Sequence, residues 1–325
     1  MEPAPEVFRL FLHSIHIFST PTYCLALFAL IFIKSNVFTT YRWFLIWHVL
    51  ENCFLELYSG LLVEPAIHAP YILVRTTGVL SEYGVSSVVQ FYMLGLGIEF
   101  DAVSISELFY FRYKASILNY KDQKFTGLLR MLVWSTRLIA LFNVVFVAAT
   151  FQDALKYQRE HKSNVFAMNP TAHFLTCDTT YLVVPFGDYV ISSILICWVL
   201  HFMILIFSVP GTTVYVLFNI PKTVSEVTWK VQQHLLRSLV IQTSIHFAML
   251  GIPNTMFIYA FVFGYENEGI AYAAFAFLTY HGFVSTLVMI VFTKPLRQYL
   301  MTTFKWKSGG DRKVSVVGNK KTSVF

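Results

Sequence analysis

Residues 85–111 read VSSVVQFYMLGLGIEFDAVSISELFYF, and this stretch decides the fold. Its apolar run is long enough to cross the hydrocarbon of a bilayer, which takes about 20 residues of helix. It nevertheless carries Glu99, Asp101 and Glu107, and a charged side chain at the bilayer centre costs at least about 2.5 kcal/mol. Glu99 and Asp101 stand two residues apart, hence about 200° around a helix of 3.6 residues per turn, so no single inward stripe holds both. Such a helix must be enclosed by protein on most of its circumference. The stretch therefore reads as the central helix of a membrane-spanning bundle.

Outward from it, six more apolar runs follow the same pattern: Phe11 to Ile33, Trp43 to Val63, Met131 to Phe151, Tyr189 to Ile220, Leu239 to Phe263 and Gly269 to Phe292. With Val85 to Phe111 third in order, they predict an all-α, seven-transmembrane domain over residues 1–299. A basic tail over 300–325, expected to be disordered, follows it. Composition agrees: 56% of residues are hydrophobic and 13% charged, whereas a soluble domain carries about 25% charge. The start, Met1 to Glu6, lacks a basic n-region and no small-residue cleavage site follows the first run, so that run is expected to be a retained helix. The fifth run contains Pro210-Gly211, which predicts a kink or an exit from the membrane there.

Lysine and arginine set the orientation, because positively charged loops stay cytoplasmic. Arg9, Arg75, Lys156, Arg159 and Lys162 fall on one side and Arg137 inside the fourth run; all the other basic residues, from Lys34 to Lys321, fall on the opposite side. The N-terminus is therefore expected outside and the tail in the cytoplasm. Carboxylates lean the other way, so the net charge of +6 reports topology and not nucleic-acid binding. Membrane lipid is the partner that the basic tail implies.

Within the second run Asn52, Glu56, Ser59 and Val63 recur at i, i+4, i+7 and i+11, a narrow stripe expected to face the interior. Two readings apply to the stripe, an ion or ligand contact and a hydrogen bond between helices. For Glu99 and Asp101 the alternatives are a ligand contact near mid-membrane and a buried, protonated carboxyl held by a hydrogen bond. Ser238, Gln242 and His246 in the sixth run, and His281 and Ser285 in the seventh, repeat every fourth residue and should also line the interior. Arg137, within two turns of the start of the fourth run, is expected to extend its head to the cytoplasmic interface.

No catalytic pattern is readable. His13 and His16 form an H-x-x-H pair without the further histidines of a membrane di-iron site, HExxH is absent, and no nucleotide loop or nucleophile elbow follows a predicted strand. The chain is expected to be no enzyme and to need no cofactor or metal. A transporter or ligand-gated channel using the intramembrane carboxylates is the alternative class, which the odd span count and the absence of an internal repeat disfavour. Cys177 lies in the loop after the fourth run, and residues 84–90 contain no cysteine, so it is expected free or unconventionally paired. The end, Thr322-Ser323-Val324-Phe325, has the form of a PDZ ligand.

The chain resembles a family of nematode seven-transmembrane chemoreceptors, serpentine receptor class H, with class I and class delta as related alternatives. Ser19, Pro21 and Tyr23 are similar to the family's S-x-P-x-Y in the first helix. Glu56, Ser59, Leu62, Pro65, Pro70, Gly78, Leu80, Gly84-Val85, Gln90 and Tyr92 follow its spacing through the second helix and first outer loop, with Glu56 where Asp is usual. The strongest stretch runs from Ser225 and Thr228 through Val231-Gln232-Gln233-His234-Leu235-Leu236 to Ile241-Gln242 and Pro253. His281-Gly282, Ser285-Thr286, Met289-Ile290 and Pro295-Leu296-Arg297 complete it.

The resemblance implies a G protein-coupled receptor in the plasma membrane of sensory cilia, detecting an external odorant- or pheromone-class small molecule and signalling through a heterotrimeric G protein. Position along the third helix makes Gln90, Tyr92, Glu99 and Asp101 the candidate ligand contacts, and the resemblance implies Arg112 and Tyr113 as candidate G protein contacts. Three positions depart from the family pattern. Phe109-Tyr110-Phe111-Arg112 stands where F-E-N-R is usual, His246 replaces a proline, and Leu296 replaces the tyrosine of P-Y-R.

Overall fold

The computed structural model describes residues 5–33, 39–68, 73–116, 124–168, 170, 175, 177–183 and 267–305, together with 192–194, 196–201, 203–205, 208, 211, 233, 237, 240, 241, 244, 245 and 247–263. The chain is a seven-transmembrane helical bundle. Helix α1 spans Glu6–Phe32 and α2 Thr39–Leu57, with a π-turn over Tyr58–Val63. A short α3 (Val79–Glu82) precedes α4 (Ser87–Ser116) and α5 (Lys124–Met168). Helix α6 runs over Ser192–Leu205. A second π-turn, Phe247–Gly251, leads into α7 (Ile252–Phe263), and α8 (Glu268–Phe292) and α9 (Lys294–Lys305) end the described chain.

Helix α4 is the enclosed one: 67% of its apolar window is buried, against 28–44% in α1, α5 and α8. Two glycines let neighbours close on it. A Cβ on Gly95 would meet Ile194 Cδ1 of α6 at 2.7 Å, and one on Gly97 would meet Leu55 Cδ2 of α2 at 2.6 Å. Both acids predicted to exclude a single inward stripe, Glu99 and Asp101, are fully buried.

Burial divides into two apolar layers with a polar one between. The outer layer gathers Leu12, Leu55, Tyr58, Leu94, Ile98 and Phe275, and the inner Leu30, Leu45, Val49, Leu108, Phe109 and Met289. Between them lie Ser19, His48, Asn52, Glu56, Asp101, Ser104, His281 and Ser285, all buried. In hydrocarbon no water satisfies such groups, so they bond across helices and fix the helices' rotation and depth.

Several expectations are corrected. The fourth helix does not stop at Phe151 but continues to Met168, because hydropathy falls after Phe151 while helical hydrogen bonding does not. The third reaches Ser116 rather than Phe111. The outer loops form an antiparallel sheet of β1 (Pro65–His68), β2 (Leu73–Thr76) and β3 (Thr180–Leu182), with Ile67 opposite Val74 and Val74 opposite Tyr181. Helix α9 spans residue 299. That helix seats Leu296 and Leu300 in the inner layer and carries Lys294 and Arg297, the form of a helix lying along the membrane interface. Pro210, Lys222, Lys230, the stripe Ser238, Gln242 and His246, and residues 306–325 lie outside the described residues.

The sheet is tied to the bundle at both edges. Tyr272 of α8 accepts from the Ile67 N–H at 3.1 Å and donates to its carbonyl at 3.2 Å. Gln158 of α5 donates to the Leu182 carbonyl at 2.8 Å and accepts from its N–H at 3.1 Å. At the end of α2, Glu64 takes a left-handed conformation (φ 43°), uncommon outside glycine. Its carboxylate accepts from Arg9 Nε at 2.6 Å and faces His13 at 3.6 Å, and its carbonyl accepts from Thr77, so α1 and the loop hold it there.

Candidate functional site

Between α4, α6, the second π-turn and α7 lies a cavity of about 330 Å³, within the range of small-molecule sites. Its wall is mostly apolar: Ile98, Ala102 and Ile105 from α4, Trp198, Val199, Met203 and Leu205 from α6, and Phe247, Leu250 and Gly251 from the π-turn. The polar groups on it are Glu99, Asp101, His201, Asn254 and Thr255.

Each polar group arrives by a traceable route. Glu99 sits one turn below Gly95, where α6 packs close; Asn143 of α5 donates to its Oε1 at 2.6 Å. Asp101 turns toward the polar layer and lies 3.4 Å from His48 Nδ1 and 3.8 Å from His281 Nε2. His201 is within 2.8 Å of the Cys197 carbonyl and 3.1 Å of the Thr136 carbonyl, one at each ring nitrogen. Thr255 donates to the Gly251 carbonyl at 2.7 Å. The π-turn is a local departure from the α-helical ladder immediately before Pro253, whose missing N–H and ring break that ladder.

Of the four ligand candidates, the structure places Glu99 and Asp101 on this wall and Gln90 and Tyr92 elsewhere. Gln90 donates to the Val85 carbonyl at 2.7 Å and to Ser81 at 3.2 Å, which ties the start of α4 to α3. Tyr92 reaches the Val144 carbonyl of α5 at 3.5 Å. Of the two coupling candidates, Tyr113 is buried, with its hydroxyl 2.7 Å from Thr126 of α5; the side chain of Arg112 lies outside the described residues.

Of the α2 stripe, Asn52, Glu56 and Ser59 are buried with the polar layer, and Val63 packs in the outer apolar layer. Tyr23 donates to Glu56 Oε2 at 2.8 Å, Ser19 donates to Oε1, and His16 lies 3.3 Å from that oxygen. Ser59 donates to Thr279 at 3.1 Å. The two histidines of H-x-x-H thus face separate carboxylates, His13 at Glu64 and His16 at Glu56. Sequence reasoning missed His48, which extends the stripe one turn back from Asn52 and joins Ser104 at 2.8 Å. It also missed Asn254 and Asn143, whose signal was a lone amide inside an apolar helix.

Arg137 is a correction. Its guanidinium pairs with Glu107 of α4, at 2.6 Å from Nε and through a second nitrogen, a partner that its position in the sequence did not indicate. Trp134 adds a ring face 4.7 Å away. Among the described residues no group of three or more His, Cys, Asp or Glu is placed to hold a metal ion, and all four cysteines are unpaired, Cys177 exposed.

The sequence model of a family described as serpentine type 7TM GPCR chemoreceptor Srh matches residues 3–306. No curated protein and no solved structure matches the chain.

Proposed function

Because the chain belongs to the Srh family of serpentine seven-transmembrane chemoreceptors, we propose that it detects an external small molecule in the cavity between α4, α6 and α7 and signals through a heterotrimeric G protein. The observation that carries this reading is that the cavity wall includes the second π-turn, through Phe247, Leu250 and Gly251. A ligand there touches a part of the wall where the helical ladder is already irregular. It shifts the receptor between states only to the extent that it binds one of them better. A change of bend at Pro253 then moves the inner end of that helix relative to α4, opening the face that includes Arg112 to the G protein. The plasma membrane, and by family habit the sensory cilium, is the site of action.

The alternative of an ion path draws little support from the carboxylates. Of the three acids such a path would use, Glu56 bonds Tyr23 of α1, Glu99 bonds Asn143 of α5, and Asp101 faces His48 of α2 and His281 of α8, as bundle-fixing groups do.

The test is G protein turnover in cells displaying the receptor, across volatile and water-soluble compounds, for the native chain and Arg112→Ala. Ligand-dependent turnover lost in the variant at equal surface abundance is the expected result. Ligand-dependent current or flux that persists without G protein would replace this reading with the channel or transporter.

A further inference from the structure

The cavity's hydrogen-bonding account is one-sided. Both nitrogens of His201 face backbone carbonyls, the Thr255 hydroxyl is spent on Gly251, and Asp101 faces His48 and His281. Glu99 Oε2 and Asn254 Oδ1 are buried and have no hydrogen-bond partner among the described residues, although Glu99 is fully enclosed. A buried acceptor left without a donor is costly, and a carboxylate oxygen most of all.

We infer that the cavity takes an apolar amine, bound as its ammonium, which donates to Glu99 with Asn254 as the second acceptor. This rests on the reading of the cavity as the ligand site. An ammonium brings up to three donors and the opposite charge, and strengthens the hydrogen bond it makes to a carboxylate. Trp198 and Phe247 on the same wall offer ring faces, which attract cations. The apolar remainder of the wall accepts the hydrocarbon skeleton. Ketones, esters and ethers supply only acceptors and leave both oxygens as they were; carboxylic acids meet Glu99 with like charge.

The experiment uses the full-length receptor in lipid nanodiscs. Binding is read as thermal stabilisation by 2-phenylethylamine and tryptamine, against the alcohol, ketone and carboxylic acid of each skeleton. The amines should bind at least about tenfold more tightly than their neutral counterparts. Glu99→Gln should weaken amine binding by at least about tenfold while leaving alcohol binding within about twofold. Asn254→Leu should weaken it less, and Leu250→Trp, which fills the cavity, should abolish binding of every compound. Neutral compounds or acids binding as well as the amines, amine binding indifferent to Glu99→Gln, or no amine binding to the folded receptor would each overturn the inference. G protein turnover measured in parallel separates the two proposals. Turnover driven only by neutral compounds keeps the receptor and discards the amine, whereas amine binding that never drives turnover keeps the amine and discards the coupling.

Discussion

Replacing Arg137 by Met removes the partner of a nearly buried carboxylate. Glu107 has a side chain 6% exposed, and Arg137 meets it with two nitrogens while itself 41% exposed. Removing one member of a fully buried pair costs about 3–5 kcal/mol; the exposure of Arg137 lets solvent and headgroups screen part of that, leaving about 1–3 kcal/mol. The assay is a double-mutant cycle on thermal unfolding of detergent-solubilised receptor, with Arg137→Met, Glu107→Gln and both together. Arg137→Met should be the least stable of the four forms, and adding Glu107→Gln should restore stability, because the uncompensated acid has gone. A coupling of about 1–2 kcal/mol is expected for groups in direct contact. If the two substitutions add within about 0.5 kcal/mol, the pair is incidental. The same proteins should be scored for basal G protein turnover. Tyr110 stands where the resemblance puts an acid near Arg112, and the Arg137–Glu107 pair is an acid–base link between α4 and α5.

Gly282→Ala places a Cβ 2.8 Å from the Tyr23 hydroxyl and 2.9 Å from the Asn52 carbonyl oxygen. Overpacking of about 1–3 kcal/mol should exceed the helix-propensity gain of about 1 kcal/mol, so unfolding temperature and surface abundance both fall; an unchanged receptor would mean that α8 packs less closely on α1 and α2. Gln158→Ala leaves the buried N–H and carbonyl of Leu182 without partners, so amide exchange across β3 should accelerate by a factor matching about 1–3 kcal/mol. No acceleration would detach α5 from the sheet. Exposed Cys177 should react with a membrane-impermeant maleimide on intact cells, and Cys177→Ser should lose the label without losing abundance. Labelling only after permeabilisation would reverse the orientation.

Local signals in the sequence carried the helices and non-local pairings were silent. Gly269 to Phe292 was legible to within one residue from its apolar composition, and in the structure the Asn267 side chain caps its start. The enclosure of α4 was legible because two acids on opposite faces have no other solution. The stretch 152–168 was read as loop because its side chains face water, yet water-facing side chains say nothing of whether the backbone continues its ladder. Strands of three or four residues are too short to show alternation, and their register is written in Tyr272 and Gln158, about 200 and 24 residues away. The site divides the same way. Glu99 and Asp101 stood out by cost, whereas Gln90 and Tyr92 were placed by position alone, and their bonds to residues 81 and 85 and to α5 had no local signal. Arg137 was misread because its partner lies 30 residues back on another helix.

Helix α5 has a mechanical consequence. At 1.5 Å per residue its 45 residues make a rod of about 67 Å, more than twice the thickness of the hydrocarbon. It is clasped near its outer end by Gln158 on β3, near its inner end by Thr126 on Tyr113, and between them by Asn143 on Glu99. The arms on either side of Asn143 measure about 22 and 26 Å. A stiff rod held at its middle is a lever with nearly equal arms: a tilt that carries the outer sheet one way carries the floor of α4's inner end the other way by about the same distance. The fulcrum is the partner of the glutamate that lines the cavity.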